Sequence, residues 1–202
     1  MHVFAYSRIM FRLIEITRRI KIEPRFFNPN EDFNKILILV INKFMSNQVI
    51  PNAGLFIILT SIEKAQVLPA IMNNANLFVR VTFQCMVFTL VEAETIKAKV
   101  KESTPQGCKV VLPFYRSIHI DPHYLPMPSK FDLDSKRWIW VKKLGTNEYF
   151  FSINVNDEIR LKILYTKFNK LNKANDEKAG IEPMITFASI SEDLLGPTAW
   201  WA

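Results

Sequence analysis

Three lysines that alternate with apolar residues give the clearest chemical signal in this sequence. Lys97, Lys99 and Lys101 are separated by Ala98 and Val100, which is the period of a strand with one buried and one solvated face. A predicted turn at residues 104–107 leads into a second strand, so the segment forms a hairpin. Its outer face attracts phosphate groups. The candidate phosphate-binding residues on this hairpin are Lys97, Lys99, Lys101, Lys109 and Arg116.

Aromatic side chains beside the hairpin are candidates for stacking on bases. Phe114 shares strand parity with Cys108 and Leu112 and is therefore predicted to pack in the core, whereas Tyr115 is predicted to stack. A later strand over residues 158–165 adds the outward cations Arg160 and Lys162, provided that the fold brings the two strands together. The alternative is a merely solvated face, because lysines also protect strand edges from aggregation.

Other chemistries find little support in the sequence. The spacing of His119, Asp121 and His123 suggests a metal site, but these residues lie in a proline-bounded connector without a clear third ligand, so no metal is expected. No nucleophile elbow, glycine-rich phosphate loop or paired-carboxylate motif occurs among only 5 glycines. We therefore expect neither catalysis nor a cofactor. Cys85 and Cys108 lie in apolar strand patterns and are predicted to be buried thiols.

The composition is that of a folded, moderately basic protein. The 202 residues are 49% hydrophobic, with a net charge of +7 and an isoelectric point near 9.4. The charge points to a polyanionic partner only where cations cluster. Apolar runs such as residues 36–41 are far shorter than the roughly 20 residues that span a bilayer. We expect an intracellular protein that is not in a membrane.

The first half of the chain predicts an antiparallel sheet covered by one helix, over residues 1–89. A strand over residues 11–22 is followed by a helix that is predicted to begin at Asn28 and to bury a stripe ending at Phe44. Further strands are predicted at residues 54–59, 66–68 and 77–88. The apolar side chains of this half exceed what one helix can cover, which suggests an interface with a second protein. The candidate interface residues are Phe11, Leu13, Leu55 and Ile57.

The second half, residues 90–202, predicts an all-β barrel of the oligonucleotide-binding (OB) type, because five or six short strands with turn signals fill about 110 residues. Two of these strands are predicted at residues 138–141 and 148–151. A polar segment at residues 169–180 is predicted to be a mobile loop. Trp200 and Trp201 either dock back on the barrel or reach a neighbouring subunit, and the sequence leaves both options open.

Several short motifs, taken in order, resemble one known family. Residues 189–192 and 194–196, followed by Trp200 and Trp201, are similar to the C-terminus of the larger stalk subunits of RNA polymerase, and the paired tryptophans are typical of the RNA polymerase III branch. Matching motifs elsewhere are Gly54-Leu55-Phe56-Ile57, Thr104-Pro105-Gln106-Gly107, Lys130-Phe131-Asp132, Trp138-Ile139-Trp140 and Asp157-Glu158-Ile159-Arg160. The resemblance covers residues 10–201, whereas residues 1–9 have no counterpart.

This resemblance implies an α+β chain: an N-terminal polymerase-stalk tip domain and a C-terminal OB-fold domain that binds RNA. It also implies a non-catalytic subunit of a nuclear polymerase. The expected partners are the smaller stalk subunit, the polymerase core subunits and single-stranded nascent RNA, and the expected role is in initiation on transfer-RNA and other short genes. Two alternatives remain: a stalk subunit of another nuclear or archaeal polymerase, and a free-standing OB-fold RNA-binding protein.

Overall fold

A computed structural model of the chain describes residues 10–26, 32–69, 75–169 and 182–201. These residues form two compact units, which meet in the sequence between Thr89 and Leu90. The first nine residues lie outside the described residues. So does the predicted loop at residues 169–180, apart from Asn169.

The first unit is a four-stranded antiparallel sheet with one helix. Its strands follow the order β1-β4-β3-β2, and helix α1 buries Ile36, Leu37, Val40, Ile41 and Met45 against one face of the sheet. The predicted arrangement of sheet and helix is therefore confirmed. The elements are β1 (Phe11–Ile22), α1 (Phe33–Met45), β2 (Val49–Ile50), β3 (Gly54–Val67) and β4 (Leu77–Phe88).

Three details of this unit differ from the prediction. Helix α1 begins after Asp32, which is extended and accepts a hydrogen bond from the Asn34 backbone N–H at 3.1 Å; the predicted start at Asn28 lies outside the described residues. Phe44 is 56% exposed, because Met45 takes the buried position in the last turn. The short strand predicted at residues 66–68 is instead the end of the long strand β3, whose register shifts at bulges let it run on.

The second unit contains a closed five-stranded barrel. The strands neighbour one another in the order β12-β7-β6-β5-β11, and the pairing of β11 with β12 closes the ring. This confirms the predicted OB fold. The strands of the unit are β5 (Thr95–Thr104), β6 (Gly107–Val111), β7 (Ile118–Ile120), β8 (Ser129–Asp132), β9 (Arg137–Leu144), β10 (Asn147–Ile153), β11 (Glu158–Phe168), β12 (Met184–Ser189) and β13 (Gly196–Pro197).

A separate three-stranded sheet, β10-β9-β8, is inserted between barrel strands β7 and β11. The predicted strands at residues 138–141 and 148–151 exist, but they pair with each other in this sheet and not in the barrel wall. The third strand, β8, was not predicted. The inserted sheet is joined to the barrel by the Trp138 indole N–H, which donates to the Thr104 carbonyl at 2.9 Å.

Alternation along β5 and β11 determines which side chains face the barrel interior. Ala98 and Val100 on β5 are buried, as are Ile159, Leu161 and Ile163 on β11. The hairpin turn before β6 depends on Gly107 at φ +127°, where an added Cβ would lie 2.2 Å from the Ile120 carbonyl oxygen. The residues between these buried ones must point outward. They include Lys97 and Lys99 on β5 and Arg160 and Lys162 on β11, so the packing of the barrel interior places these cations on its outside.

Both cysteines are buried free thiols, as predicted. Burial raises the pKa of the Cys108 thiol to about 11, and a weak hydrogen bond with Ser103 opposes this shift. Burial also raises the pKa of Cys85. Both thiols therefore stay protonated near neutral pH and contribute packing rather than reactivity.

Candidate nucleic-acid interface

The predicted lysines on β5 line an open groove on the outside of the barrel. Lys97, Lys99 and Lys101 are all exposed, in keeping with the predicted alternation. The groove has a volume of about 580 Å³, within the range of roughly 300–1,000 Å³ that ligand sites occupy. Its lining residues are Lys97, Ala98, Lys99, Lys101, Val111, Leu112, Pro113, Arg116 and Glu158.

The groove combines a cationic rim with an aliphatic floor. Val111, Leu112 and Pro113 supply the apolar side chains, at the point where β6 ends and the chain turns. This turn is closed by the Leu112 backbone N–H, which donates to the Tyr115 carbonyl at 2.7 Å, and it places Arg116 opposite the β5 lysines. A groove of this kind can hold a phosphate at its rim and the flat face of a base on its floor.

Glu158 is the acidic residue of the groove lining. The Lys97 ammonium lies 3.1 Å from its carboxylate, and both side chains are about half exposed. An ion pair this exposed contributes little to stability, so a phosphate can compete for Lys97. Among the residues that the structure describes, Lys99, Lys101 and Arg116 form no salt bridge.

Arg160 and Lys162 extend the basic surface onto the neighbouring strand. The backbone register places Arg160 beside Lys97 and Lys162 beside Thr95, so β11 does bring these cations next to β5. The Lys162 ammonium is 2.6 Å from the Glu192 carboxylate. Arg160 therefore lies on the strand beside the groove, where its guanidinium is 3.5 Å from the Leu194 carbonyl, whereas the charge of Lys162 is largely neutralised by its partner.

Lys109 lies apart from the groove, and here the structure differs from the prediction. Its ammonium is 2.6 Å from the Glu182 carboxylate, which also lies 3.5 Å from His119. Burial opposes ionisation of Glu182, but hydrogen bonds from Lys109 and Ser117, together with the charges of Lys109 and His119, outweigh it and lower its pKa. Lys109 is thus neutralised in a polar cluster and does not line the groove.

Tyr115 is a core residue, so its predicted role in base stacking is wrong. Its side chain is 5% exposed. The hydroxyl lies 3.0 Å from the Met184 carbonyl, 3.1 Å from the Ser117 carbonyl and 3.2 Å from the Thr186 hydroxyl. Burial raises the pKa of Tyr115 to about 12. A ring enclosed in this way has no free face for a base.

Phe114, predicted to be buried, is the exposed aromatic ring of this turn. It is 49% exposed and lies next in the chain to the groove residue Pro113, although Phe114 itself is not part of the lining. Strand parity failed here because β6 ends at Val111, so alternation does not continue through residues 112–115. Phe114 therefore replaces Tyr115 as the candidate stacking residue.

Trp200 docks on the inserted sheet of its own unit, whereas the Trp201 ring stays partly exposed and its contact with a neighbouring subunit stays a prediction. Trp200 lies 5.4 Å from Trp140 and 5.7 Å from Phe151, ring centre to ring centre, and its indole N–H donates to the Ser152 carbonyl at 3.2 Å. Gly196, at φ +98°, allows this approach, because an added Cβ would lie 2.6 Å from the Trp200 ring. Trp201 donates to the Leu195 carbonyl at 2.9 Å and remains 38% exposed.

The candidate interface residues of the first unit divide into exposed and buried ones. Phe11, Leu13 and Ile57 are 38%, 61% and 38% exposed, respectively. Leu55 is buried, at 9% exposure, and so cannot contact another protein in this conformation. Ile58, which the sequence did not single out, is 48% exposed, because the bulge after Phe56 shifts the register of β3.

His119, Asp121 and His123 do not form a metal site. His119 faces Glu182 on the barrel wall, while His123 is exposed in the following 3₁₀ turn. Within the described ranges, no group of three or more His, Cys, Asp or Glu side chains is arranged to hold a metal ion. Likewise, no helix in the part of the chain that is described is long and apolar enough to cross a membrane.

Comparison with known proteins matches this chain to one family and to several of its curated members. Residues 94–201 match the family model for RNA polymerase III subunit Rpc25. The chain is 28% identical over 206 aligned residues to the bovine (Bos taurus) DNA-directed RNA polymerase III subunit RPC8, covering 95% of this chain and 98% of that protein. It is 27% identical to the Schizosaccharomyces pombe counterpart and 26% identical to the Saccharomyces cerevisiae one; 95% of this chain and 100% of each relative are covered.

Proposed function

Because this chain belongs to the family of RNA polymerase III subunit Rpc25, we propose that it is the larger stalk subunit of nuclear RNA polymerase III and guides single-stranded nascent RNA along the barrel groove. The relatives that carry the subunit name extend over nearly the whole chain, so the proposal covers both units. In this role the chain acts in the nucleus, supports initiation on transfer-RNA and other short genes, and makes or breaks no bond itself.

The observation that carries the RNA part of the proposal is the groove on β5. Four cations, Lys97, Lys99, Lys101 and Arg116, surround an aliphatic floor and a single carboxylate. Phosphate neutralisation releases counterions whatever the base sequence, and apolar contacts accept any base. The groove thus suits a transcript whose sequence changes from gene to gene. Phe114, exposed beside it, is the proposed stacking residue.

A role for Phe114 implies a preference for single strands. In a duplex the bases are stacked on one another and their faces are unavailable, whereas an unpaired strand can place a base against an aromatic ring. We expect the chain to bind a single-stranded oligoribonucleotide more tightly than a duplex of the same length at the same salt concentration.

In the proposed assembly the first unit contacts the smaller stalk subunit and the polymerase core. The exposed apolar residues Phe11, Leu13, Ile57 and Ile58 are the candidate contacts, because their burial against a partner removes aliphatic and aromatic surface from water. Leu55 does not belong to this surface, since it is already buried.

The RNA-binding proposal is tested by the salt dependence of binding to a fluorescent single-stranded oligoribonucleotide. The triple variant Lys97→Glu, Lys99→Glu, Lys101→Glu loses three phosphate contacts, which reduces the slope of log affinity against log salt by about 2. Between roughly 50 and 200 mM salt, the unsubstituted chain is then expected to lose about twentyfold more affinity than the variant.

The matched control is the triple variant Lys130→Glu, Lys136→Glu, Lys143→Glu, which changes the net charge equally at exposed positions of the same unit. It is expected to keep most of the original slope. Equal slopes for the two triple variants would show that binding depends on net charge alone and would refute the assignment to the groove. Phe114→Ala is expected to weaken binding roughly fivefold or more without changing the slope.

A further inference from the structure

In the first unit, the face of the sheet that points away from α1 changes along the strands from apolar to cationic side chains. We call it the graded face; it is neither part of the groove nor packed against the helix. Register across β1, β4 and β3 places Leu13, Met86 and Ile58 in one row. Six residues further along β1, Arg19 lies directly opposite Arg80, which is itself paired with Gln66. One end of this face is therefore aliphatic and the other cationic.

At the cationic end, positively charged side chains lie directly opposite one another on neighbouring strands. Arg19 and Arg80 face each other in an antiparallel pair, and Lys64 lies one row away, paired with Thr82. All three side chains are exposed, and within the described residues none of them forms a salt bridge. Like charges placed opposite one another destabilise a sheet, and an anionic group bound at this end would relieve that repulsion.

The guanidinium of Arg19 is preorganised for such a partner. It lies over the Phe78 ring, 4.3 Å from the ring centre, and a guanidinium in this position can still donate its N–H groups to a carboxylate. Lys21, a further lysine at this end, is 3.7 Å from Glu23. The acids Glu15 and Glu63 lie nearer the middle of the face, where Glu63 accepts from Ser61.

We infer that this graded face docks an acidic–apolar segment of a protein partner, laid along the strands with its apolar side chains over Leu13 and Ile58 and its carboxylates over Arg19 and Arg80. The two ends are about 20 Å apart, from six residues at the rise of a strand. A helix of about 13 residues spans that distance. This inference rests on the proposed function, which supplies the smaller stalk subunit as the partner.

Two other occupants fit the face less well. RNA carries a phosphate at every nucleotide, so a strand laid along this face would bring charges over Leu13, Met86 and Ile58, which offer no cation in return. In the β5 groove, by contrast, the cations lie along the whole apolar floor. A second copy of this chain would set its arginines either against the same arginines or against the apolar end, and neither arrangement supplies an anion for them. A protein segment with carboxylates at one end and apolar side chains at the other matches the charge of the cationic end and covers the apolar end.

The test measures association of the full chain with the purified smaller stalk subunit at several salt concentrations, together with binding of single-stranded RNA. Arg19→Glu with Arg80→Glu is expected to weaken association about tenfold or more at 100 mM salt and to flatten its salt dependence. RNA binding is expected to stay unchanged. The matched control, Arg18→Glu with Lys35→Glu, carries the same charge change on exposed residues of β1 and α1 and is expected to bind normally.

A milder variant separates binding from folding. Arg80→Gln removes the like-charge pair, so the first unit is expected to be as stable as the unsubstituted one, or more so, while association weakens severalfold. If Arg80→Gln destabilises the unit, the premise of an unrelieved repulsion is wrong and the inference falls. Leu13→Ser is expected to weaken association independently of salt, because it acts at the aliphatic end.

The remaining outcomes distinguish this inference from the proposed function. Equal association of the double glutamate variant and the unsubstituted chain overturns the docking face alone. Loss of RNA binding in that variant, with association intact, assigns the arginines to nucleic acid and also overturns it. If the unsubstituted chain fails to associate with the smaller stalk subunit, the proposed pairing falls and the docking face falls with it, whereas RNA binding by the groove is judged separately.

Discussion

Replacement of Tyr115 by phenylalanine is the sharpest test of the corrected site, because it removes one hydroxyl and leaves the ring in place. That hydroxyl lies within 3.2 Å of three oxygens, those of Ser117, Met184 and Thr186. Tyr115 is 5% exposed, and Met184 and Thr186 are buried as well, so these two former partners stay out of water in the variant. Leaving a buried polar group without its hydrogen bond costs about 1–2 kcal/mol.

Urea unfolding monitored by tryptophan fluorescence measures this loss of stability in the second unit, to which Tyr115 belongs. All 4 tryptophans, at positions 138, 140, 200 and 201, belong to the second unit, so the signal reports its unfolding. With a urea dependence of about 2 kcal/mol per molar, the midpoint is expected to fall by about 0.5–1 M. The control Tyr165→Phe, at a side chain that is 42% exposed, is expected to change stability by less than about 0.5 kcal/mol.

The affinity of Tyr115→Phe for single-stranded RNA completes the test. A core residue predicts unchanged affinity wherever the variant is folded. If the midpoint stays where it is and the affinity for RNA falls severalfold, Tyr115 contacts RNA, and the argument from burial is wrong.

Two further predictions concern the same unit. Trp200→Ala is expected to destabilise it by about 2–4 kcal/mol, since it removes the indole that packs at a tilt against Trp140 and Phe151 and opens a cavity. Trp201→Ala, at a more exposed ring, is expected to cost about 1 kcal/mol or less in the same urea assay. The raised pKa values of Cys108 and Tyr115, about 11 and about 12, mean that the folded unit keeps protons that the unfolded chain releases. Its urea midpoint is therefore expected to fall as the pH rises from about 9 towards 12, less steeply in Cys108→Ala; an identical slope would contradict the burial of that thiol.

The sequence correctly predicted that the lysines of β5 are exposed, because the alternation there is local. Lys97, Lys99 and Lys101 alternate with Ala98 and Val100 inside one unbroken strand, and the register shift comes only after Val100. The same reasoning placed Arg160 on the neighbouring strand. Where a strand is continuous, its period of two is sufficient to separate the solvated face from the core.

The exchange of roles between Phe114 and Tyr115 shows where that reasoning ends. Parity was carried past Val111, where β6 stops, and Pro113 cannot donate to a sheet ladder. In the turn that follows, the Tyr115 hydroxyl finds partners 69 and 71 residues away along the chain. No local pattern encodes such a contact.

The sequence pattern also did not show which strands pair with each other, because that depends on contacts between distant segments. Strands β9 and β10 were found by their composition, but their separation from the barrel depends on β8 and on the Trp138 contact to Thr104, 34 residues away. The docking of Trp200 against Trp140 and the neutralisation of Lys109 by Glu182 are also contacts between distant segments. The fold class followed from periodicity, whereas these details depend on the tertiary structure.

The most direct measurement of the central proposal is quantitative mass spectrometry of what co-purifies with a tagged copy of this chain from nuclear extract. The proposed function predicts stoichiometric recovery of the RNA polymerase III core subunits and the smaller stalk subunit. Recovery of the chain alone, or with RNA-binding proteins but no polymerase subunit, would contradict it.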